Sequence, residues 1–121
     1  MMNADEMKKR TKEFALRTIR LVESLPKGKA TDVIGKQLLR SGTSVGANYR
    51  AACRAKSQAD FISKMGTVEE EIDESVYWME LLAEAGIVVL GKLEALIKEA
   101  DELQAISVSS IKTARKRMSL K

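Results

Sequence analysis

Apolar residues recur every three to four positions along four stretches of this chain, which is the spacing of amphipathic α-helices. The first stretch carries Met7, Phe14 and Leu21 on one side and ends before Pro26 and Gly28. The whole pattern predicts helices over residues 5–25, 31–56, 58–85 and 92–117. Because the connections are short, we expect an all-α, antiparallel up-and-down four-helix bundle in a single domain.

Residues near the predicted helix ends support these limits. Thr31 or Asp32 is the expected cap of the second helix. Ser57, followed three residues later by Asp60, resembles a capping box that opens the third helix. Gly86 suits the position just past a helix C-terminus. The sequence therefore predicts a turn at each of these places.

The second predicted helix is unusual in its glycine content. Gly42 and Gly46 lie beside its inward stripe, where the missing side chains let another helix come close, at a cost of ~1 kcal/mol each relative to alanine. Asn48 falls on the stripe itself, between Val45 and Ala52. A buried amide must find partners, and a hydrogen bond to a neighbouring helix is favoured over ligand binding. We expect Gly42, Gly46 and Asn48 to be structural.

Other apolar side chains lie outside the predicted core stripes. They are Leu16 and Ile19 on the first helix and Trp78 and Leu81 on the third. A broad core could absorb them, but amphipathic helices normally keep one polar face. We therefore favour a contact between protomers at these four residues.

Composition removes several classes of function. The 121 residues include no histidine, the commonest general base and metal ligand, and Cys53 is the only cysteine. That thiol is expected to be packed and inert. The chain has no apolar run long enough to cross a bilayer and no apolar signal-peptide segment. We expect a cytoplasmic protein that is not an enzyme and holds neither metal nor cofactor.

Charge is distributed unevenly along the chain. A cationic ridge, defined as Lys36, Arg40, Arg50 and Arg54, is predicted on the outward face of the second helix, without a carboxylate on that helix between its members. Residues 61–105 instead contain eleven acidic side chains and three basic ones. The ridge could contact nucleic-acid phosphates, face the acidic helix of another subunit, or simply be solvated. A second basic cluster ends the fourth helix and fits ordinary helix-dipole chemistry.

Particular residues carry a resemblance to a known family. From about residue 11 to residue 116 the chain resembles the four-helix bundle family named for the protein encoded in the intervening sequence of bacterial 23S ribosomal RNA genes. The matching positions are residues 37–41 (QLLRS), residues 43–48 (TSVGAN), Arg54, Ser57, Asp60, Phe61, Glu71, Glu74, Ser75, Trp78, Leu81 and Leu82. Ala51 and Ala52 occupy positions that are Glu-Gly in many relatives.

The resemblance implies a homopentamer with no established catalytic activity. Our first hypothesis is accordingly a non-enzymatic, oligomeric accessory protein that binds RNA or DNA through the cationic ridge. The alternative is a protein-interaction scaffold whose partner covers the flank containing Trp78 and Leu81.

Overall fold

The computed structural model describes residues 2–120, and the four predicted helices are present. They are α1 (Ala4–Glu23), α2 (Lys29–Cys53), α3 (Gln58–Glu84) and α4 (Glu94–Ser119), with a short 3-10 turn at Leu90–Lys92. Extensive contacts join α1 to α2, α2 to α3, and α3 to α4, whereas α1 and α4 meet much less extensively. The predicted all-α, up-and-down bundle is confirmed, and α1 lies diagonally opposite α3.

A continuous apolar core runs along the bundle axis. Phe14, Leu38, Val45, Met65 and Leu103 are fully buried and come from all four helices. Burial of each large aliphatic or aromatic side chain contributes about 1.5–3 kcal/mol. The interior also contains hydroxyl groups, which donate hydrogen bonds to carbonyls of their own helices, so their burial leaves no donor unpaired.

The ends of α3 follow the sequence signals. The amide of Asp60 donates to the Ser57 hydroxyl, and the amide of Lys56 donates to the Asp60 carboxylate, each over 3.0 Å. A hydrogen bond from the Lys64 ammonium, together with the Lys56 amide, lowers the pKa of the Asp60 carboxyl. At the other end Gly86 has φ +73°, and the amide of Ile87 donates to a carbonyl of the last α3 turn. The capping box and the terminal glycine are confirmed.

The start of α2 differs from the prediction. The helix begins at Lys29 and its cap is Gly28, because the Asp32 amide already donates to the Gly28 carbonyl over 2.9 Å. Thr31 lies within the first turn and is buried. The helix also ends earlier than expected, at Cys53. The Lys56 amide donates to the Asp60 carboxylate instead of to a carbonyl of α2.

Asn48 of α2 is less buried than its place on the apolar stripe predicts. Asn48 is half-buried, and its amide group donates to the Ser44 carbonyl of the same helix over 2.8 Å. The expected hydrogen bond to a neighbouring helix is therefore wrong. Tyr49, the next residue, is buried instead, with 8% of its surface exposed. Val45 and Ala52 of the predicted stripe stay buried, and the close contact with α1 extends the buried side of α2 to Gly42, Gly46 and Tyr49.

Gly42 and Gly46 form the contact of α2 with α1. A Cβ at Gly42 would lie 2.6 Å from Cγ2 of Thr18, and a Cβ at Gly46 would lie 3.3 Å from Oγ1 of Thr11. These separations leave little or no room for a side chain at either position, so the two helices approach as closely as their backbones allow.

Candidate functional site

The cationic ridge divides between two sides of α2. The guanidinium of Arg40 donates from Nη1 to Oε2 of Glu71 over 3.0 Å and also pairs with Glu74. Lys36, Arg50 and Arg54 form no ion pair with any of the residues described between positions 2 and 120. The interpretation of the ridge as one strip free of carboxylates is therefore corrected at Arg40, because it counted charges on α2 alone.

Arg40 belongs to a polar network between α2 and α3. Glu74 also accepts a hydrogen bond from the indole N–H of Trp78 over 3.2 Å. Ser41 and Ser75 directly follow Arg40 and Glu74, and their hydroxyls are 2.9 Å apart in the interior. This α2–α3 network neutralises the cation of α2 with carboxylates of α3 and fixes the register of the two helices.

A groove between α1 and α2 brings together four cations. We call it the basic groove and define it by Lys8, Lys9 and Lys12 of α1 and Arg50 of α2. Its volume is about 540 Å³, and small residues form its floor, including Thr43, Gly46 and Ala47. Within residues 2–120, the groove lining includes no carboxylate, and none of its cations forms an ion pair.

The basic groove exists because of the close α1–α2 contact. The approach of Gly46 to Thr11 brings the lysines of one helix beside the arginine of the other. Like charges one helical turn apart destabilise a helix by about 0.2–0.5 kcal/mol, so the cluster has a cost that a bound anion would relieve. Of the predicted ridge, Arg50 lines this groove, and Lys36 and Arg54 face outward between Arg50 and Arg40 by helical phase.

Sequence reasoning missed the three lysines of the groove. The apolar stripe of the first helix predicts its buried side, but it does not relate the cations of that helix to those of the second. The available signal was Lys8-Lys9-x-x-Lys12, whose spacing places lysines one turn apart on one flank of a helix. Assigning that flank to α2 required the position of α1 around the bundle, which the pattern of a single helix does not contain.

A second, larger pocket lies at the end of the bundle where α2 ends and α3 begins. It has a volume of about 940 Å³, and its lining includes Tyr49, Cys53, Phe61, Ile106 and Arg117. Burial raises the pKa of the Tyr49 phenol, which keeps that group neutral. Cys53 is exposed, so the expectation of a packed thiol is wrong. Its helix ends at this residue, which places the thiol beside the pocket rather than in the core.

The four predicted interface residues lie on two separate parts of the surface. Leu16 and Ile19 are 40% and 37% exposed on α1. Trp78 and Leu81 are half-buried on α3, where the Trp78 ring packs edge-on against Tyr77 at a centroid distance of 5.0 Å. Since α1 and α3 are diagonal in the bundle, one protomer does not bring the two pairs together. Their role in assembly stays a prediction.

Two other kinds of site are absent from the described part of the chain. Between residues 2 and 120, no three acidic or cysteine side chains are arranged to hold a metal ion. Over the same residues, every helix is too short or too polar for a membrane span.

Comparisons with known proteins agree with this architecture. The family model for the 23S rRNA-intervening sequence protein matches residues 4–109. A crystal structure of a protein with unknown function from the S23 ribosomal protein family of Bacteroides thetaiotaomicron is 38% identical to this chain, with a TM-score of 0.82. That similarity covers 88% of this chain and 98% of the other. No curated protein matches the chain.

Proposed function

The chain belongs to the 23S rRNA-intervening sequence protein family, and on that premise we propose that it is a non-enzymatic, oligomeric accessory protein that binds RNA or DNA. Phosphate contacts are made by the basic groove and by the neighbouring ridge cations Lys36 and Arg54. Arg40 supports the site from the α2–α3 network and does not contact phosphate.

One observation carries this proposal: four unpaired cations from two helices line one groove. Each phosphate that a cation neutralises releases counterions, so affinity falls with salt by a slope of about 0.9 per contact on duplex DNA. Anions are the class of ligand that removes the repulsion within the cluster. Nucleic acid is the anion that can use cations spread along the helices, since Lys36 and Arg54 are roughly 27 Å apart at 1.5 Å per residue.

The proposal is tested with the variant Lys8→Gln/Lys9→Gln/Lys12→Gln/Arg50→Gln. A matched control, Lys112→Gln/Arg115→Gln/Lys116→Gln/Arg117→Gln, removes the same charge from the basic end of α4. Fluorescence anisotropy with labelled nucleic acid should show at least about a tenfold loss of affinity for the groove variant at about 0.1 M salt, and a salt slope smaller by roughly three to four. The control variant should retain most of the affinity and most of the salt slope.

Thermal unfolding of the two variants separates binding from folding. Both sets of side chains are largely exposed, so each variant should melt within a few degrees of the original protein. If the two variants lose affinity equally, the loss reflects the change in net charge alone, and the groove is not the binding site. If the original protein binds no nucleic acid and instead retains one polypeptide, the scaffold with a protein partner at Trp78 and Leu81 replaces this proposal.

Assembly is the second part of the proposed function. Exposed Leu16 and Ile19 support a contact between protomers, and the homopentamer implied by the family resemblance would present several basic grooves to one polymer. Leu16→Glu/Ile19→Glu introduces charge at such a contact and should lower the molar mass measured by light scattering after size exclusion. Val33→Glu, at an apolar position of α2 that is 61% exposed and outside the predicted interface, is the control. An unchanged mass would exclude the α1 flank from the interface.

A further inference from the structure

The aromatic side chains of this protein all lie away from the basic groove. The chain has five, Phe14, Tyr49, Phe61, Tyr77 and Trp78. The first two are buried, and Phe61 lines the pocket at the end of the bundle. Tyr77 and Trp78 contact each other on α3, where the indole N–H of Trp78 donates a hydrogen bond to a carboxylate of the α2–α3 network. A nucleic acid in the basic groove therefore meets no aromatic ring.

This placement removes the usual source of affinity for single strands. Proteins that bind single-stranded nucleic acid combine a basic groove with aromatic rings on which bases stack, and each stacked base raises affinity about fivefold or more. In the groove of this protein, lysines and small residues occupy the positions where such rings would stand. Affinity must come almost entirely from contacts between cations and phosphates.

Charge contacts of this kind favour a duplex. A duplex carries one phosphate charge per about 1.7 Å of axis, and the salt slope per neutralised phosphate is about 0.9, compared with about 0.7 for a single strand. Six cations of α1 and of the outward side and C-terminal end of α2 form no ion pair within residues 2–120: Lys8, Lys9, Lys12, Lys36, Arg50 and Arg54. With duplex and single strand bound equally at about 1 M salt, six contacts favour the duplex by roughly tenfold at about 0.1 M salt.

We infer that the basic groove selects double-stranded over single-stranded nucleic acid and does so without reading sequence. The inference rests on the proposed function and names its substrate class. The recognised chemistry is the paired phosphate backbone, which duplex RNA and duplex DNA share. Among the described residues, the groove lining contains no Asn or Gln, the side chains that read adenine through two hydrogen bonds, and its Lys and Arg side chains are assigned to phosphates.

Competition binding tests the inference with three unlabelled nucleic acids of one length, about 20 nucleotides, so that each exceeds the strip of cations. They are a duplex RNA, a duplex DNA of the same sequence, and an unstructured single strand. At about 0.1 M salt, at least one duplex should compete roughly tenfold better than the single strand. The comparison between the two duplexes shows which polymer supplies the phosphates. A single strand that competes as well as either duplex overturns the inference.

Failure of the inference is distinguishable from failure of the proposed function. Binding of the single strand with full salt dependence would overturn duplex selection and leave nucleic-acid binding intact. Absence of salt-dependent binding to all three would overturn both. Scrambling the duplex sequence should change affinity less than about threefold, because phosphate contacts carry no sequence information. A larger change contradicts recognition through the backbone.

A substitution designed to add binding of single strands provides a sharper test. Ala47 is exposed on the groove floor, so Ala47→Trp supplies the missing ring among the cations. It should raise affinity for the single strand by about fivefold or more relative to affinity for the duplex. Ala59→Trp, at an exposed position of α3 outside the groove, is the matched control and should change neither. Equal effects of the two substitutions would contradict the assigned geometry.

Discussion

The two flanks of α2 use opposite kinds of side chain. Toward α1, Gly42 and Gly46 bring the backbones close, and the cations beside them have no partner among the described residues. Toward α3, the Ser41 and Ser75 hydroxyls meet in the interior, and two carboxylates neutralise the arginine on that side. One helix therefore makes a contact with unpaired charge on one side and a contact with paired charge on the other.

The difference indicates where binding energy is available. On the α3 side, the electrostatic interactions of Arg40 are satisfied within the protomer, so a ligand could engage it only by breaking them. On the α1 side, no described carboxylate pairs with the groove cations, so an approaching phosphate has no internal partner to displace. Departures from local consistency are expected at functional sites. The α1–α2 flank is such a departure, and the α2–α3 flank is not.

The largest predicted effect comes from filling the α1–α2 contact. In Gly42→Leu, even the first carbon of the new side chain would lie within 3.0 Å of three atoms of Thr18. Thr18 cannot rotate freely, because it is β-branched and its hydroxyl donates to the Phe14 carbonyl over 2.8 Å. Separation of α1 from α2 should lower the free energy of unfolding by about 2–3 kcal/mol, measured by chemical denaturation.

A rescue shows that the loss comes from this contact. The milder Gly42→Ala should also destabilise the protein, since the clash outweighs the gain in helix propensity of ~1 kcal/mol. Adding Thr18→Ala removes two of the three clashing atoms and should restore part of the lost stability. If Gly42→Leu unfolds at the same denaturant concentration as the original protein, the close contact of α1 and α2 is contradicted.

The next prediction separates the paired cation from the unpaired ones. Arg40→Gln should lower stability by about 1 kcal/mol, because Glu71 and Glu74 lose their partner at a partly exposed site. Nucleic-acid affinity should remain within about twofold, since Arg40 does not contact phosphate. Arg50→Gln should do the reverse, weakening binding without lowering the melting temperature. A loss of affinity in Arg40→Gln that equals that of Arg50→Gln would remove the distinction between the flanks.

The features that the sequence predicts correctly are those that depend on one helix alone. Helical spacing of apolar residues, the Ser57–Asp60 cap and the glycine after α3 are local, and the structure contains them. The pairing of Arg40 is not predicted, because its partners come from another helix, whose register no local pattern specifies. The burial of Tyr49 rather than Asn48 has a similar cause: the close contact at Gly42 and Gly46 brings α1 over one side of α2, and the pattern of α2 alone does not specify that contact.

A smaller effect, which depends on pH, tests the cap at the start of α3 outside both flanks. The carboxylate of Asp60 caps the start of α3, and its pKa in the folded protein is lowered. Asp60 therefore stabilises the protein at pH values above its unfolded pKa of about 3.9. This contribution should disappear as the pH falls through the lower folded pKa. The stability difference between the original protein and Asp60→Asn should therefore be present at neutral pH and vanish in acid. A difference that persists at low pH would contradict a role for the ionised carboxylate.

The smallest prediction uses one chemical change at two places. Gly66 lies in α3, and a Cβ at this position would have no neighbouring atom within 4 Å, so Gly66→Ala should raise stability by about 0.5–1 kcal/mol through helix propensity alone. Gly46→Ala gains the same propensity, but its Cβ would lie 3.3 Å from Oγ1 of Thr11, a hydroxyl held in place because it donates to the Met7 carbonyl over 2.9 Å. It should give no gain or a loss. The difference between the two substitutions, measured by denaturant unfolding, isolates the packing at the floor of the basic groove, and equal gains would mean that α1 can move away from α2 without cost.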